Sequence, residues 1–303
     1  MTVLAPVEQP RVTAFGRVAG GLTVLREVAR RPAGLFGLLV VGGLVFLAIF
    51  APLVAPYDAA TQDIPSRLQG PSWDHLLGTD QLGRDLLSRL IFGVRVALSV
   101  ALPGVAAALV IGLLLGLVAG YVGGRTDNSM IVMMDTLQAF PAVILALTLL
   151  ALLGASRSSV IIVIAVAFAP NYARVTRALV LTTKQNPFVE AARSLGAGNA
   201  RIVGIHILPN VMAPLFILLA MDLPAAITIE AGLSFLGLGV PPPTPSWGVI
   251  LQDGFERVRD DAWPIIWAGL TLMFVTLGCT FLGETLRDVV DPRLAGVRRL
   301  RRP

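Results

Sequence analysis

The stretch EAARSLGAGNARIVGIHILPN, residues 190–210, holds residue types that could support acid-base chemistry or bind a charged partner. Glu190 and His206 can exchange protons, and Arg193 and Arg201 can bind carboxylate or phosphate groups. The segment lies between two long apolar runs and is interrupted by glycines and a proline. Its chemistry therefore depends on the helices that hold it.

No catalytic motif accompanies these residues. The chain has no G-x-S-x-G turn and no H-E-x-x-H pair. His75 and His206 are far apart in the sequence, and the single cysteine, Cys279, lies inside an apolar run, so we expect neither a metal cluster nor an internal disulfide. An intramembrane serine protease is disfavoured because both histidines fall in extramembrane segments. We expect a protein that is not an enzyme.

The composition is that of a membrane protein. Of 303 residues, 55% are hydrophobic and 14% are charged, with a mean hydropathy of +0.77. A soluble domain has about 25% charged residues. The high isoelectric point does not indicate nucleic-acid binding, because the basic residues lie in short segments between apolar spans.

Six apolar runs are long enough to cross a bilayer, which needs about 20 residues per helix. The first run is not a cleavable signal, since it is long and lacks a small-x-small site. The sequence predicts an all-α polytopic protein with spans at 34–55, 94–120, 130–153, 159–180, 209–233 and 263–286.

The basic residues predict the orientation. If both termini lie on the same side of the membrane, that side contains 17 of the 24 lysines and arginines. Because cytoplasmic segments carry an excess of basic residues, we expect both termini and the 190–210 loop to be cytoplasmic. The predicted organisation is a cytoplasmic segment at 1–33, a permease domain at 34–286 with a cytoplasmic loop at about 184–209, and a basic tail at 287–303. External segments are expected at 56–93 and 234–262, with Asp85 to Phe92 as a short interfacial helix.

The local signals predict a short helix at the start of the polar segment. Asn186 is a good N-cap, Pro187 suits the first turn, and Gly196 suits the left-handed position after the C-cap. A second short piece is expected from Ala200 to Leu208, with Pro209 opening the next span. From these signals alone, a connector resting on the membrane surface is as good an interpretation as a docking element.

The spacing also resembles the cytoplasmic loop signature of ABC importer permeases: an E-A-A triplet, a glycine after three more residues, and an I-x-L-P close. The matching residues are Glu190, Ala191, Ala192, Gly196, Leu208 and Pro209. His206 occupies the isoleucine position, so the close reads HILPN, which looks like the dipeptide and oligopeptide branch.

Four further segments are similar to the C-type subunit of this branch, in the expected order. They are LGTDQLGRDLLSRLIFG at 77–93, DTLQAFP at 135–141, SFLGLGVPPPTPSWG at 234–248 and LRDVVDPR at 286–293. The sequence departs from the family at Val132, where an arginine is common, and at Ala169. The resemblance implies the type I ABC importer permease fold.

The resemblance also implies partners. The loop would be a coupling helix seated on a cytoplasmic ATPase, with Glu190, Ala191, Ala192 and Gly196 giving contact and shape, and His206 and Pro209 fixing the exit into span five. Two ATPase subunits would bind ATP and Mg²⁺, because the only lysine, Lys184, has no Walker A glycine run before it. A B-type permease would complete a heterodimeric pore, and an extracytoplasmic binding protein would deliver the peptide; no cofactor is expected in this chain.

Two alternatives remain at this stage. A relative of the same family could carry a nickel chelate, glutathione or an oligosaccharide. An ion-coupled carrier is the other, since carboxylates within spans often mark ion paths; the candidates are Asp135, Asp222, Glu230 and Glu284. Gly112, Gly116 and Gly120, at four-residue steps, predict a close helix contact in either case.

Overall fold

A computed structural model describes residues 21–290. Within that range the chain is helical and contains no β-strand, apart from an isolated bridge between Thr79 and Asp85. The helices are α1 (Gly21–Ala29), α2 (Pro32–Val54), α3 (Leu86–Val122), α4 (Gly124–Ala139), α5 (Ala142–Leu153), α6 (Arg157–Thr183), α7 (Pro187–Ser194), α8 (Asn199–Arg201), α9 (Leu208–Phe235), α10 (Trp247–Glu256) and α11 (Trp263–Val290). A π-helical segment, Ile202–Ile207, joins α8 to α9.

Five helical segments are long and apolar enough to cross a membrane, and a sixth span results if α4 and α5 are counted together. The predicted fold class, an all-α polytopic membrane protein, is confirmed. The division into cytoplasmic and external segments stays a prediction, and its parts at 1–20 and 291–303 lie outside the described residues.

Three predicted boundaries were wrong. Residues 85–92 do not form a separate interfacial helix, because α3 begins at Leu86 and continues without a break to Val122. The run at 130–153 is not straight: α4 and α5 meet at 91°, and Pro141 lies at the junction. Residues 200–208 are not a separate piece either, since the helical path from Asn199 runs through the π segment into α9.

The most extensive helix contact is that of α3 with α6, and glycines allow its close approach. A Cβ added at Gly112 would lie 2.3 Å from the Cβ of Tyr172, and one at Gly116 would lie 2.5 Å from the Cβ of Thr176. Gly104 faces Ile164 and Gly120 faces Val180 in the same way. The two helices therefore run parallel in one register, and lipid-embedded helices that approach this closely gain dispersion contacts over their whole length.

The bundle has two distinct ends. One, called here the α7 end, contains the last turn of α3, the segment around α7 and the start of the helical path at Asn199. The other, called the cap end, contains residues 55–85 and 236–262. Trp247 of α10 is buried and donates from Nε1 to the Leu90 carbonyl oxygen at 2.9 Å, so the cap packs on the first turns of α3.

Candidate functional site: the α7 surface

The helix α7 forms where the sequence predicts it. Asn186 occupies the N-cap position and Pro187 the first turn, where its missing N–H costs no hydrogen bond. The Asn186 side chain does not cap the helix, however; its Nδ2 donates to the Thr183 carbonyl oxygen at 3.2 Å. With eight residues, α7 is about 12 Å long and too short to cross a bilayer.

A glycine-dependent turn ends the helix. Gly196 has φ +81°, a left-handed conformation that favours glycine. Its N–H donates to the Arg193 carbonyl oxygen, and the Ala197 N–H donates to that of Ala192, each at 3.0 Å. This pair of bonds is a Schellman motif, which satisfies carbonyl groups that a helix end leaves free. No atom outside the adjacent chain lies within 4 Å of a Cβ added at Gly196, so the requirement for glycine is conformational.

One face of α7 is anchored on the bundle. Val189 is fully buried in a small apolar cluster that joins α7 to α6, the π segment and α9. The other members of this cluster are Val180, Ile202, Ile207 and Val211. Burying a valine side chain contributes about 1.5–3 kcal/mol, so this one contact helps to hold α7 on the bundle.

The opposite face of α7 is open. Glu190 and Ala191 are exposed, and Ala192 is half-buried. Leu195 has 88% of its surface exposed and Phe188 46%, which places two apolar side chains beside a carboxylate. Such a surface, apolar with a charged edge, is typical of a protein contact site.

His206 and Pro209 lie at the exit from this surface. The His206 ring is half-buried with its centroid 6.3 Å from that of Phe188, and Asn210 donates to the His206 carbonyl oxygen at 2.7 Å. Pro209 falls in the first turn of α9. The six predicted site residues therefore share one end of the bundle.

Polar tethers that the sequence analysis missed fix the α7 end. Lys184 Nζ donates to the Gly120 carbonyl oxygen at 2.7 Å, and Tyr121 donates to Asn199 Oδ1 at 2.8 Å. Arg177 of α6 forms a two-point ion pair with Asp127 of α4, with Nη2 2.6 Å from Oδ2. The basic residues were interpreted only as orientation signals, and their spacing gave no indication of these partners.

The π segment lies between this surface and α9. Its backbone bonds skip one residue more than those of an α-helix, and Gly204 and Ile205 within it are exposed. Short π-helical insertions are frequent at functional positions in helices. Because this segment connects α7 to α9 along the chain, a displacement of α7 would move the π segment before it moves α9.

The four carboxylates considered for ion transport have different surroundings. Asp135 is exposed and pairs with Arg174 of α6 at 2.8 Å. Asp222 lies beside Tyr172. Glu230 is fully buried and accepts hydrogen bonds from Ser234 at 2.8 Å and Ser246 at 3.0 Å; Glu284 is exposed. Within residues 21–290 no hydrogen bond or ion pair joins one of these four carboxylates to a partner of another.

A buried charge cluster at the cap end also escaped the sequence analysis. Asp80 accepts from Arg84 at 2.7 Å and from Arg89, and Asp253 of α10 lies 3.5 Å from Arg84 and 3.7 Å from Arg89. Burial raises the pKa of Asp253, while the guanidinium groups of Arg89 and Arg84 oppose that rise. The cluster joins the loop before α3, α3 itself and α10.

The fold and the α7 surface define a class: a polytopic helical membrane protein with a short exposed helix at one end. Residues 112–296 match the family model described as binding-protein-dependent transport system inner membrane component. Residues 23–71 match the N-terminal transmembrane domain of oligopeptide transport permease C.

Curated proteins agree over almost the whole chain. A di/tripeptide transport system permease protein DppC from Pseudomonas aeruginosa is 42% identical over 275 residues, covering 89% of this chain and 91% of that protein. The dipeptide permease DppC of Alkalihalophilus pseudofirmus is 35% identical over 289 residues, or 95% of both chains. That of Escherichia coli is 39% identical over 271 residues, with 88% and 90% covered.

The chain belongs to the family of binding-protein-dependent transport system inner membrane components, in the branch of C-type peptide permeases. It is a multi-pass inner-membrane permease subunit of an ABC transport system, which confirms the predicted class of protein. The family is non-catalytic, which confirms that the chain is not an enzyme. A permease of this class implies ATPases, a second permease and a binding protein.

Proposed function

We propose that this chain is half of the pore of an ATP-driven importer of dipeptides and oligopeptides, paired with a B-type permease. In this proposal α7 is the coupling helix, and its open face around Glu190 and Ala191 seats on one of two ATPase subunits. Those subunits bind ATP and Mg²⁺, and both termini of this chain are cytoplasmic. An extracytoplasmic binding protein delivers the peptide at the cap end.

The observation that carries the proposal is the two-sided character of α7. Val189 fastens one face to a cluster shared by α6 and α9, whereas Phe188, Glu190 and Leu195 are free for a partner. A rigid helix fixed to two spanning helices transmits a push from its partner, because its backbone hydrogen bonds resist bending. A connector resting on lipid would need no such anchor.

The peptide cargo is supported by the named relatives, whose printed functions are dipeptide and di/tripeptide transport. Uptake assays in proteoliposomes with the binding protein present separate peptides from nickel chelates, glutathione and oligosaccharides. Uptake of peptide is expected; uptake of one of the other cargoes alone would replace the peptide assignment.

Cross-linking in the assembled transporter tests the coupling role. The only native cysteine, Cys279, is buried, so an introduced cysteine reacts against little background. Ala191→Cys should cross-link to an ATPase subunit, whereas Trp73→Cys, 96% exposed at the cap end, should not and should react with impermeant reagents from outside. The reverse pattern would overturn both the docking site and the orientation.

A further inference from the structure

A small cavity with a mixed lining lies between α3, the start of α6 and the loop before α10. Its volume is about 190 Å³, and Arg95, Ser99, Arg157 and Thr244 line it beside the apolar Phe92, Val96 and Pro245. Neither the α7 surface nor the buried charge cluster at the cap end includes any of these residues. The Ser99 hydroxyl donates to the Val96 carbonyl oxygen at 2.8 Å, so the donors left for a ligand are the two arginines and the Thr244 hydroxyl. This set suits a phosphate group, because arginine binds phosphate through several N–H groups at once.

The two cations lack acidic partners. Arg95 Nε donates to the Ala48 carbonyl oxygen at 2.6 Å and its Nη2 to that of Ile49 at 2.8 Å, which leaves its other N–H groups free. Within residues 21–290 neither Arg95 nor Arg157 forms an ion pair with a carboxylate. Arg157 is exposed and occupies the first turn of α6, where the helix dipole is unfavourable for a cation. An anion at this position would offset the unfavourable interaction of Arg157 with the helix dipole and give both arginines a partner of opposite charge.

The cavity lies at the depth of lipid headgroups. The register of α3 with α6, in which Gly104 faces Ile164 and Gly120 faces Val180, places Arg157 level with residue 97. α3 extends beyond that level by about eleven residues, or roughly 16 Å, whereas α6 begins there. The start of a spanning helix marks the boundary of the apolar core, which is where phosphodiester groups lie.

An apolar strip continues from the cavity along α3. Leu102, Val110 and Leu114 follow Arg95 and Ser99 at helical spacing and are each about half exposed. A phospholipid whose phosphate contacts the arginines would lay its acyl chains along this strip. A soluble anion has no acyl chains and would not contact this strip, so the strip favours a phospholipid over a soluble anion.

We propose that the cavity between Arg95 and Arg157 binds the phosphodiester group of a phospholipid from the leaflet at the cap end. The lipid fills the angle between α2, α3 and α6 and neutralises the two guanidinium groups. Since Arg95 itself donates to carbonyl oxygens of α2, the bound lipid lies beside the contact between α2 and α3.

The test is lipid retention by the assembled transporter, measured by native mass spectrometry after reconstitution with phosphatidylglycerol. Arg157→Gln should lower the retained phosphatidylglycerol about fivefold, the effect of one interfacial cation. Arg67→Gln, an exposed arginine of the cap end outside the cavity, should leave it unchanged. Ser99→Leu keeps both charges but fills the cavity, so it should lower retention as well and serves if the arginine variant fails to assemble.

Two further arms identify the ligand. A glycolipid with the same acyl chains and no phosphate should be retained equally by the native chain and Arg157→Gln. Equal phosphatidylglycerol retention by the native chain and both cavity variants would overturn the site, and displacement of the lipid by inorganic phosphate would show a soluble-anion site instead. Cross-linking of Arg157→Cys to the second permease would show that protein covers the cavity and would also overturn the proposal.

Discussion

Lys184 Nζ donates a 2.7 Å hydrogen bond to the carbonyl oxygen of Gly120, which ties the residue just after α6 to the last turn of α3. The ammonium group also lies at a helix C-terminus, where a positive charge is favoured. The parallel helices α3 and α6 are therefore joined immediately beside the α7 surface.

Replacing this lysine should loosen the α7 end without preventing folding. We expect Lys184→Met to lower the free energy of unfolding by about 1–2 kcal/mol, because a partly buried carbonyl loses a charged donor. ATP hydrolysis by the complex should continue with reduced peptide uptake per ATP. Lys184→Arg keeps a charged donor and should behave as the native chain; equal uptake by both variants would argue against a role for this bond.

Gly196 gives the sharpest test of the helix end. Gly196→Ala places a Cβ at φ +81°, which costs about 1 kcal/mol, and should reduce coupling of hydrolysis to uptake. Gly198→Ala is a matched control, since Gly198 also has open space around it but an ordinary φ of -68°. A substitution with a β-branched residue at 196 should enlarge the effect while membrane insertion persists. Comparable loss of transport in both alanine variants would mean that the Schellman turn is not the cause.

Gly112 tests the contact between α3 and α6. A methyl group there would lie 2.3 Å from the Tyr172 Cβ and 2.7 Å from the Ala169 carbonyl oxygen, so the helices must separate. Gly112→Ala should destabilise the chain by about 1–3 kcal/mol, measured by thermal unfolding in detergent. Gly269→Ala, in α11 with no atom within 4 Å, should leave stability unchanged or raise it slightly. A neutral result at Gly112 would show that the two helices can slide apart freely.

Asp80 tests the charge cluster at the cap end. Asp80→Asn removes a carboxylate from two nearly buried arginines and should lower the free energy of unfolding by about 3 kcal/mol, because a buried cation is left uncompensated. Asp74→Asn changes an exposed aspartate of the same end and should have little effect. If both variants unfold alike, the cluster does not hold the cap on α3.

The sequence predicted the elements whose signals are local. The length of the apolar runs, Pro187 at the first turn and Gly196 after the last one each depend on a few neighbouring residues, and α7 lies where they place it. The glycine spacing in α3 likewise predicted a close helix contact, since four-residue steps put Gly112, Gly116 and Gly120 on one face.

What the sequence did not predict depends on distant residues. The ion pair of Arg177 with Asp127 joins positions fifty residues apart, and the bond of Arg89 with Asp80 crosses a loop whose path only the packed cap defines. The continuity of α3 through Leu86 was also missed, because polar residues at its start resemble an interfacial segment until the cap covers them. Asp135 of α4 pairs with Arg174 of α6, and residue spacing within α4 could not have predicted this partner.

The single register of α3 with α6 couples the two ends of this helix pair. From Gly104 to Gly120 the two backbones leave no room for slippage, over a distance of roughly 24 Å. Sliding of α3 along α6 would force side chains into glycine positions that have no space for a Cβ, so we expect this pair to move as one body. A change in helix direction during transport is then expected at the π segment ahead of α9, where the backbone hydrogen bonds depart from the α-helical pattern.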